Sequence, residues 1–103
     1  MQTVKRLLVV GSLNYDVILE QKRLPRKGET YQVDRVTMGG GGKGANQAVQ
    51  AAKMGVATSM IGAVGQDLYG ENIERQLRDF GVDTRYIKKT NEPTGLGVNN
   101  VLP

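Results

Sequence analysis

The sequence predicts an α/β fold with a mainly parallel sheet flanked by helices. Two observations lead to this prediction. First, a strand–helix–strand pattern occurs twice. Two helical patterns each end in Gly-Val and lead into a strand pattern, "GVATSMI" and then "GVDTRYI". The first strand pattern, "KRLLVVGS" (5–12), is an apolar run ended by glycine, which suits a strand buried on both faces of a parallel sheet.

The segments "DVILEQ" and "TYQVDRVTM" follow the first strand and have mixed polarity. Between them lies "RLPRKGE", in which Pro25 and Gly28 signal a turn. We therefore expect a half-exposed antiparallel excursion from the main sheet.

Two helices are predicted, and a buried strand, "VATSMIGAVG", lies between them. The first helix grows out of the glycine run at 39–42, has a small apolar face and stops at Gly55. The second has Asp67 as its N-cap and two favourably ordered i,i+4 ion pairs. The apolar faces are Ala45, Ala48, Val49 and Ala52 in the first helix and Ile73, Leu77 and Phe80 in the second, and the ion pairs are Glu71/Arg75 and Glu74/Arg78.

Composition excludes several classes of site. The 103 residues include no cysteine and no histidine, which removes disulfide scaffolds, thiol nucleophiles, zinc fingers and histidine bases. The net charge is +4, but Lys and Arg are scattered and aromatics make up only 5% of the chain, so a nucleic-acid partner is not expected. The longest apolar stretch is far too short to span a membrane, and the chain is expected to be cytoplasmic.

Two segments offer groups that can bind a ligand: "GSLNYD" after the first strand, and the glycine run with Lys43 and Asn46 at the start of the first helix. Asn14 and Asp16 can equally be turn formers, and the glycines can simply permit a sharp turn. In the functional interpretation, a carboxylate accepts two hydroxyl hydrogens at about 1.5–3 kcal/mol each, while Lys, Asn and helix N-terminal amides donate from the other side. That set of groups suits a polyol.

Two phosphate-binding loops are alternatives. The Walker pattern fails, because Thr37 stands where it needs glycine and Gly44, rather than Ser or Thr, follows Lys43. The dinucleotide pattern G-x-G-x-x-G matches formally at Gly39, Gly41 and Gly44. However, it follows a polar strand rather than the buried first strand, and a glycine run matches many patterns by accident.

The blocks "GSLNYD", "GGKGANQA" and "GAVGQDLYG", in this order and spacing, resemble the ribokinases of the PfkB-type carbohydrate kinase family. The resemblance covers nearly the whole chain. It implies a Rossmann-like sheet with a small β-sheet lid over the sugar, with lid strands at approximately 16–22, 30–38 and 94–101. It also implies that residues 1–103 are the N-terminal part of a longer domain, since the tail "PTGLGVNNVLP" starts like a strand and no closing helix follows.

By the same resemblance, Asn14 and Asp16 bind the sugar hydroxyls, and Gly42, Lys43 and Asn46 complete the site. The implied activity of the complete protein is ATP-dependent phosphorylation of D-ribose to ribose 5-phosphate. The catalytic base and the sites for ATP, Mg²⁺ and a monovalent cation (K⁺) lie further along in the family, so this chain alone is expected to be inactive. A homodimer through the lid is also a family expectation.

Three other functions remain open at this point. Another PfkB-type kinase, acting on fructose or a nucleoside, is the runner-up. The second is a non-catalytic module that binds sugar or pairs lids. A dinucleotide-binding domain is the third.

Overall fold

A computed structural model describes residues 6–103 of the chain. Lys5, the first residue of the predicted first strand, lies outside the described residues. The elements are β1 (Arg6–Val10), β2 (Asn14–Glu20), β3 (Arg35–Gly41), α1 (Lys43–Lys53), β4 (Ala57–Gly65), α2 (Leu68–Asp79), β5 (Ile87–Thr90) and β6 (Gly95–Val101).

The strands form two separate sheets. The core sheet has the order β1-β4-β5, and both pairings are parallel. Helix α1 belongs to the connection between β1 and β4, which also includes β2 and β3, and α2 connects β4 to β5. Because such crossovers are right-handed and both run in the same direction across the sheet, α1 and α2 pack on the same face. The predicted α/β fold with a mainly parallel sheet is confirmed.

The hydrophobic core lies between this face of the core sheet and the two helices. Met60 in the central strand and Ala48 in α1 are both fully buried, so the small alanine face of α1 lets the helix pack closely. The other buried apolar residues are Val9, Leu13, Ala45, Val64, Ile73, Leu77, Val82 and Ile87. Phe80, predicted as part of the apolar stripe of α2, is instead about half exposed at the end of that helix.

The prediction that β1 is buried on both faces is wrong for the described residues. Val9 is buried under the helices, but Leu8 and Val10 are 56% and 75% exposed. Alternation along the strand directs these two side chains to the other face, and residues 6–103 place no helix there. β1 is also an edge strand of the core sheet.

Both helices end as the Gly-Val signals predicted. Gly55 and Gly81 have φ of +85° and +87°, and each is followed by a valine whose N–H donates back into the last helical turn, Val56 to Ala51 and Val82 to Leu77. This is the Schellman arrangement, for which glycine is favoured because it adopts positive φ without strain. Neither α1 nor α2, the helices found in residues 6–103, has the length and apolarity needed to cross a bilayer.

The predicted start of α2 is also confirmed, and one of its two predicted ion pairs forms. Asp67 caps the helix by accepting a hydrogen bond from the Gly70 N–H. Arg78 lies 3.4 Å from Glu74. Arg75, however, donates to Asn72 in the described chain rather than pairing with Glu71.

The second sheet, here called the lid sheet, consists of β3-β2-β6. β2 pairs antiparallel with β3 and parallel with β6 over its whole length. The resemblance implied lid strands at approximately 16–22, 30–38 and 94–101, whereas they lie at 14–20, 35–41 and 95–101. The largest shift is in β3, which begins after a loop closed by the Arg23–Glu29 ion pair at 2.7 Å and extends through three glycines.

The segment "GVDTRYI" forms less strand than its pattern predicted. Asp83 makes only an isolated bridge to Ser59, and regular pairing starts at Ile87. The reason is local, because the Asp83 carboxylate accepts the backbone N–H and the guanidinium of Arg85, which turns the chain before β5.

Candidate functional site

Asn14 and Asp16 lie on β2, two residues apart, so both side chains project from one face of the lid sheet. Asn14 has Gly41 and Gly95 directly opposite on the flanking strands, and Asp16 has Gly39 and Gly97. All four cross-strand neighbours are therefore glycines. Directly opposite the two polar groups, β3 and β6 present backbone without side chains. We call this bare backbone, at Gly39, Gly41, Gly95 and Gly97, the shelf.

The polar side chains lean into the space that the glycines leave. A Cβ built on Gly95 would stand 2.7 Å from Asn14 Oδ1, and one on Gly97 would stand 2.8 Å from Asp16 Oδ1. A Cβ on Gly41 would overlap the Asp16 carboxylate itself. The carboxylate thus leans toward Gly41, the end of β3 from which α1 begins.

The chain makes its turn from β3 into α1 at Gly42, which has φ +98° and precedes the first helical residue, Lys43. A Cβ at Gly42 would lie 2.7 Å from the carbonyl oxygen of Ser12, and one at Gly44 would lie 2.9 Å from the backbone of Gly11. Both glycines are needed because backbone atoms cannot move aside for a methyl group. Their contacts seat the start of α1 directly on the carboxyl end of β1.

The first turn of α1 retains hydrogen-bonding capacity. The N–H of Ala45 donates to Ser12 and that of Asn46 donates to Gly42, as the helix requires. Within residues 6–103, the amides of Lys43 and Gly44 have no such backbone acceptor. These two N–H groups are additional donors beside the shelf, at the helix N-terminus, which carries a partial positive charge.

The side chains at this site are also uncommitted. Among residues 6–103, the Asp16 carboxylate has no ion-pair or hydrogen-bond partner. The carboxylates of Asp67 and Asp83, by contrast, both accept hydrogen bonds. Lys43 and Asn46 are exposed, and their side chains have no polar partner within the described chain either. The carboxylate lies beside Gly41, two residues before Lys43. An unpaired carboxylate and unpaired donors in one site can bind a molecule that carries several hydroxyl groups.

Asn46 also borders a cleft of about 310 Å³ between α1 and α2. Its walls include Ile73, Gln76 and Phe80, and at its floor is Gly40, whose N–H donates to Gln76 at 3.2 Å. In β3, Gly40 alternates with Gly39 and Gly41, so this cleft adjoins the face of the lid sheet opposite the Asp16 carboxylate. Asn46 therefore lies at the border between the shelf and the cleft.

The dinucleotide alternative does not fit the structure. Gly39 and Gly41 lie inside β3, which pairs antiparallel with β2, and only Gly44 lies on the helix. The fingerprint requires its glycines in the turn between a parallel strand and its helix.

The position of the shelf glycines beside Asn14 and Asp16 was not predicted. Gly39 and Gly41 lie on one side, and Gly95 and Gly97 lie on the other. The signal was present, since "N-x-D" in one strand is matched by "G-x-G" in two others at the same period of two. Strand pairing was needed to recognise it.

Residues 4–101 match the model of the pfkB family carbohydrate kinases. The chain belongs to the PfkB carbohydrate kinase family. Among curated members, it is 43% identical over 95 residues to ribokinase of Arabidopsis thaliana and 40% identical over 83 residues to deoxyribokinase of Salmonella typhi.

Solved PfkB structures agree with these matches. The structure of Arabidopsis thaliana ribokinase complexed with ribose and ATP superposes with a TM-score of 0.91 at 40% identity and covers 97% of this chain. Ribokinase from Giardia lamblia gives 0.85 at 30% identity and the same coverage. The chain spans 25% and 27% of the two curated relatives and 33% of each of these structures, so it corresponds to about a quarter to a third of a PfkB protein.

Proposed function

We propose that the full-length protein transfers the γ-phosphoryl group of ATP to D-ribose and forms ribose 5-phosphate. In this proposal, residues 6–103 hold most of the sugar-binding half of the site. The observation that carries it is the unpaired Asp16 carboxylate on a shelf of four glycines, next to the first turn of α1.

The shelf suits a sugar for steric and chemical reasons. Without side chains on the flanking strands, a flat, hydroxylated ring can approach the backbone and both polar groups of β2 at once. Asp16 accepts hydrogens from two adjacent hydroxyls, and Asn14 can donate or accept. Gly42 lets the chain turn sharply, so that Lys43 and Asn46 supply donors from the helix side.

Ribose is favoured over other sugars by the relatives rather than by any single residue. One similar structure is named as a complex with ribose and ATP, and one similar protein is named a deoxyribokinase. The two sugars differ only at the 2-position, where ribose has a hydroxyl. We assign Asp16 to that end of the sugar, since an acceptor that the bound sugar covers and leaves without a hydroxyl would penalise deoxyribose.

We assign residues 6–103 no part of the nucleotide half of the site. Residues 6–103 contain no group of three or more His, Cys, Asp or Glu side chains that could hold a metal ion. The Walker pattern is also absent from the sequence. From the family resemblance, we place the sites for ATP, Mg²⁺ and K⁺, together with the catalytic base, further along the full-length protein, and we assign no catalytic residue within this chain.

The lid sheet is the candidate surface for a homodimer. Its face opposite Asp16 is apolar and open, with Val36, Met38, Leu96 and Val98 each about half exposed. Pairing of two such faces would bury these side chains. This stays a prediction of the family resemblance, which sedimentation of the full-length protein at rising concentration measures.

The proposed function predicts a clear preference in a substrate panel. With ATP and Mg²⁺, the full-length protein should phosphorylate D-ribose with a kcat/KM at least about tenfold above that for 2-deoxyribose, fructose or adenosine, because one unmade hydrogen bond to a charged group costs that much or more. The 103-residue chain alone should give no turnover. Preference for fructose or a nucleoside would favour the runner-up, and sugar binding without transfer would favour the non-catalytic module.

A further inference from the structure

The start of α2 and the start of β6 are joined by a compact hydrogen-bond network. Thr94 is 5% exposed, and its hydroxyl donates to Asp67 Oδ1 at 2.7 Å while accepting from the Gly65 N–H at 2.8 Å. The Thr94 N–H donates to Asp67 Oδ2 at 2.9 Å. Asp67 Oδ1 also accepts from Gly70. We call this network the latch. Asp67 thus does more than cap a helix.

The glycines in "GQDLYG" make room for the latch. A Cβ on Gly65 would stand 2.6 Å from the Thr94 nitrogen and 2.7 Å from Asp67 Oδ2. A Cβ on Gly70 would stand 3.0 Å from the Thr94 hydroxyl. The spacing G-x-D-x-x-G therefore leaves room for Thr94, which follows Asp67 by 27 positions, to bind the aspartate.

The position of Thr94 determines which residues of β6 form the shelf. It directly precedes Gly95, which lies opposite Asn14, and Gly97 lies opposite Asp16. A slip of β6 by one residue would bring Leu96 into one of these glycine positions and fill the space beside the polar groups. Fixing Thr94 therefore fixes which residues of β6 face the two side chains.

Helix α2 contacts the other two strands of the lid sheet through neutral groups. Gln76 accepts from Gly40 of β3, and the ring of Tyr69 lies 4.9 Å from that of Tyr15 on β2. The hydrogen bonds to Thr94 are charge-assisted, and Thr94 itself is buried, so they are the strongest of these attachments. Bonding to Thr94 also lowers the pKa of Asp67, because these hydrogen bonds stabilise the charged carboxylate.

We propose that Asp67 is a positioning residue for sugar binding, which acts through Thr94 to hold β6 in register beside Asn14 and Asp16. This inference rests on the proposed function for its kinetic consequence. The structural part of the inference, that Asp67 keeps β6 in register, does not depend on that function.

Two substitutions in the full-length protein separate the latch from helix capping. Asp67→Asn retains an oxygen for Gly70 and remains a good N-cap, but it turns an N–H₂ group toward the Thr94 N–H. Thr94→Val keeps the shape and removes the hydroxyl. Each should raise KM for the sugar about tenfold and leave KM for ATP within about twofold. Thr94→Ser, which restores the hydroxyl, should return KM to near the wild-type value.

Asp83→Asn is the matched control. Asp83 also accepts several hydrogen bonds, from Arg85 and Ser59, but it lies at the other end of β4. Its loss should lower thermal stability without changing KM for the sugar. Unchanged KM in both latch variants, or an equal rise in the control, would overturn the inference.

Hydrogen exchange provides a readout that does not require turnover. In Asp67→Asn and Thr94→Val, the amides of β6 and β2 should exchange faster than in the wild type. Those of β1 and β4 should not, except for Gly65, whose N–H donates to the Thr94 hydroxyl. If the wild type phosphorylates no sugar, the proposed function fails, and faster exchange confined to the lid sheet still supports the latch. Unchanged exchange overturns the latch even in an active enzyme.

Discussion

Replacing Asp16 by alanine in the full-length protein should lower kcat/KM for the sugar by roughly a hundredfold to ten-thousandfold, because two charge-assisted hydrogen bonds of about 1.5–3 kcal/mol each are removed. Asp16 has no partner within residues 6–103, so the fold does not depend on its charge. Thermal stability should therefore remain close to that of the wild type. Steady-state kinetics with varied sugar, together with a melting curve, measure both effects.

Asp34→Ala is the control for this change. Asp34 is an exposed carboxylate that precedes β3 at the far end of the lid sheet, and its loss changes the net charge equally. It should leave kcat/KM within about twofold. Survival of sugar turnover within a few-fold in Asp16→Ala would show that the sugar site has been assigned to the wrong residues.

The second large effect is expected at Gly41. A Cβ there would overlap the Asp16 carboxylate, which can swing away because it is the free end of a side chain. Gly41→Ala should therefore displace the carboxylate at little cost in stability. Since an error of about 1 Å in a positioned group can cost a hundredfold, we expect a fall in kcat/KM of about that size.

Gly39→Ala is a closely matched control for Gly41→Ala. Gly39 lies on the same strand and the same face, two residues away, and a Cβ built there meets no atom within 4 Å. Alanine at 39 adds a methyl group to the shelf but leaves the Asp16 carboxylate in place, so kcat/KM should fall far less than in Gly41→Ala. Stability should rise slightly, because glycine is a poor strand residue. If the two variants behave alike, the close approach between Gly41 and Asp16 has no functional role.

The helices and the core sheet could be predicted from the sequence because their signals are local. Apolar residues at helical spacing, a capping aspartate and Gly-Val endings each depend on a few neighbouring residues. Met60 and Val64 were correctly placed in a buried strand for the same reason. The exposed face of β1 was missed because an apolar run does not state whether both faces are covered within the described chain.

The lid sheet was harder to place because its strand ends depend on pairing. "TYQVDRVTM" has a β pattern from residue 30, but β3 begins at Arg35, where its pairing with Glu20 begins. Glycines usually end a strand, yet Gly41 continues this one because its missing side chain leaves room for the Asp16 carboxylate. The latch depends on Thr94 meeting Asp67, a contact between distant residues that no local pattern encodes.

The central claim, that this chain binds a sugar between β2 and the first turn of α1, is tested most directly by a crystal structure of the full-length protein with ribose bound. The account predicts ribose hydroxyls within hydrogen-bonding distance of both Asp16 carboxylate oxygens, with the ring over the glycine shelf and Lys43 and Asn46 on its other side. Ribose bound elsewhere, such as in the cleft lined by Gln76 and Phe80, with Asp16 left in solvent, would contradict it.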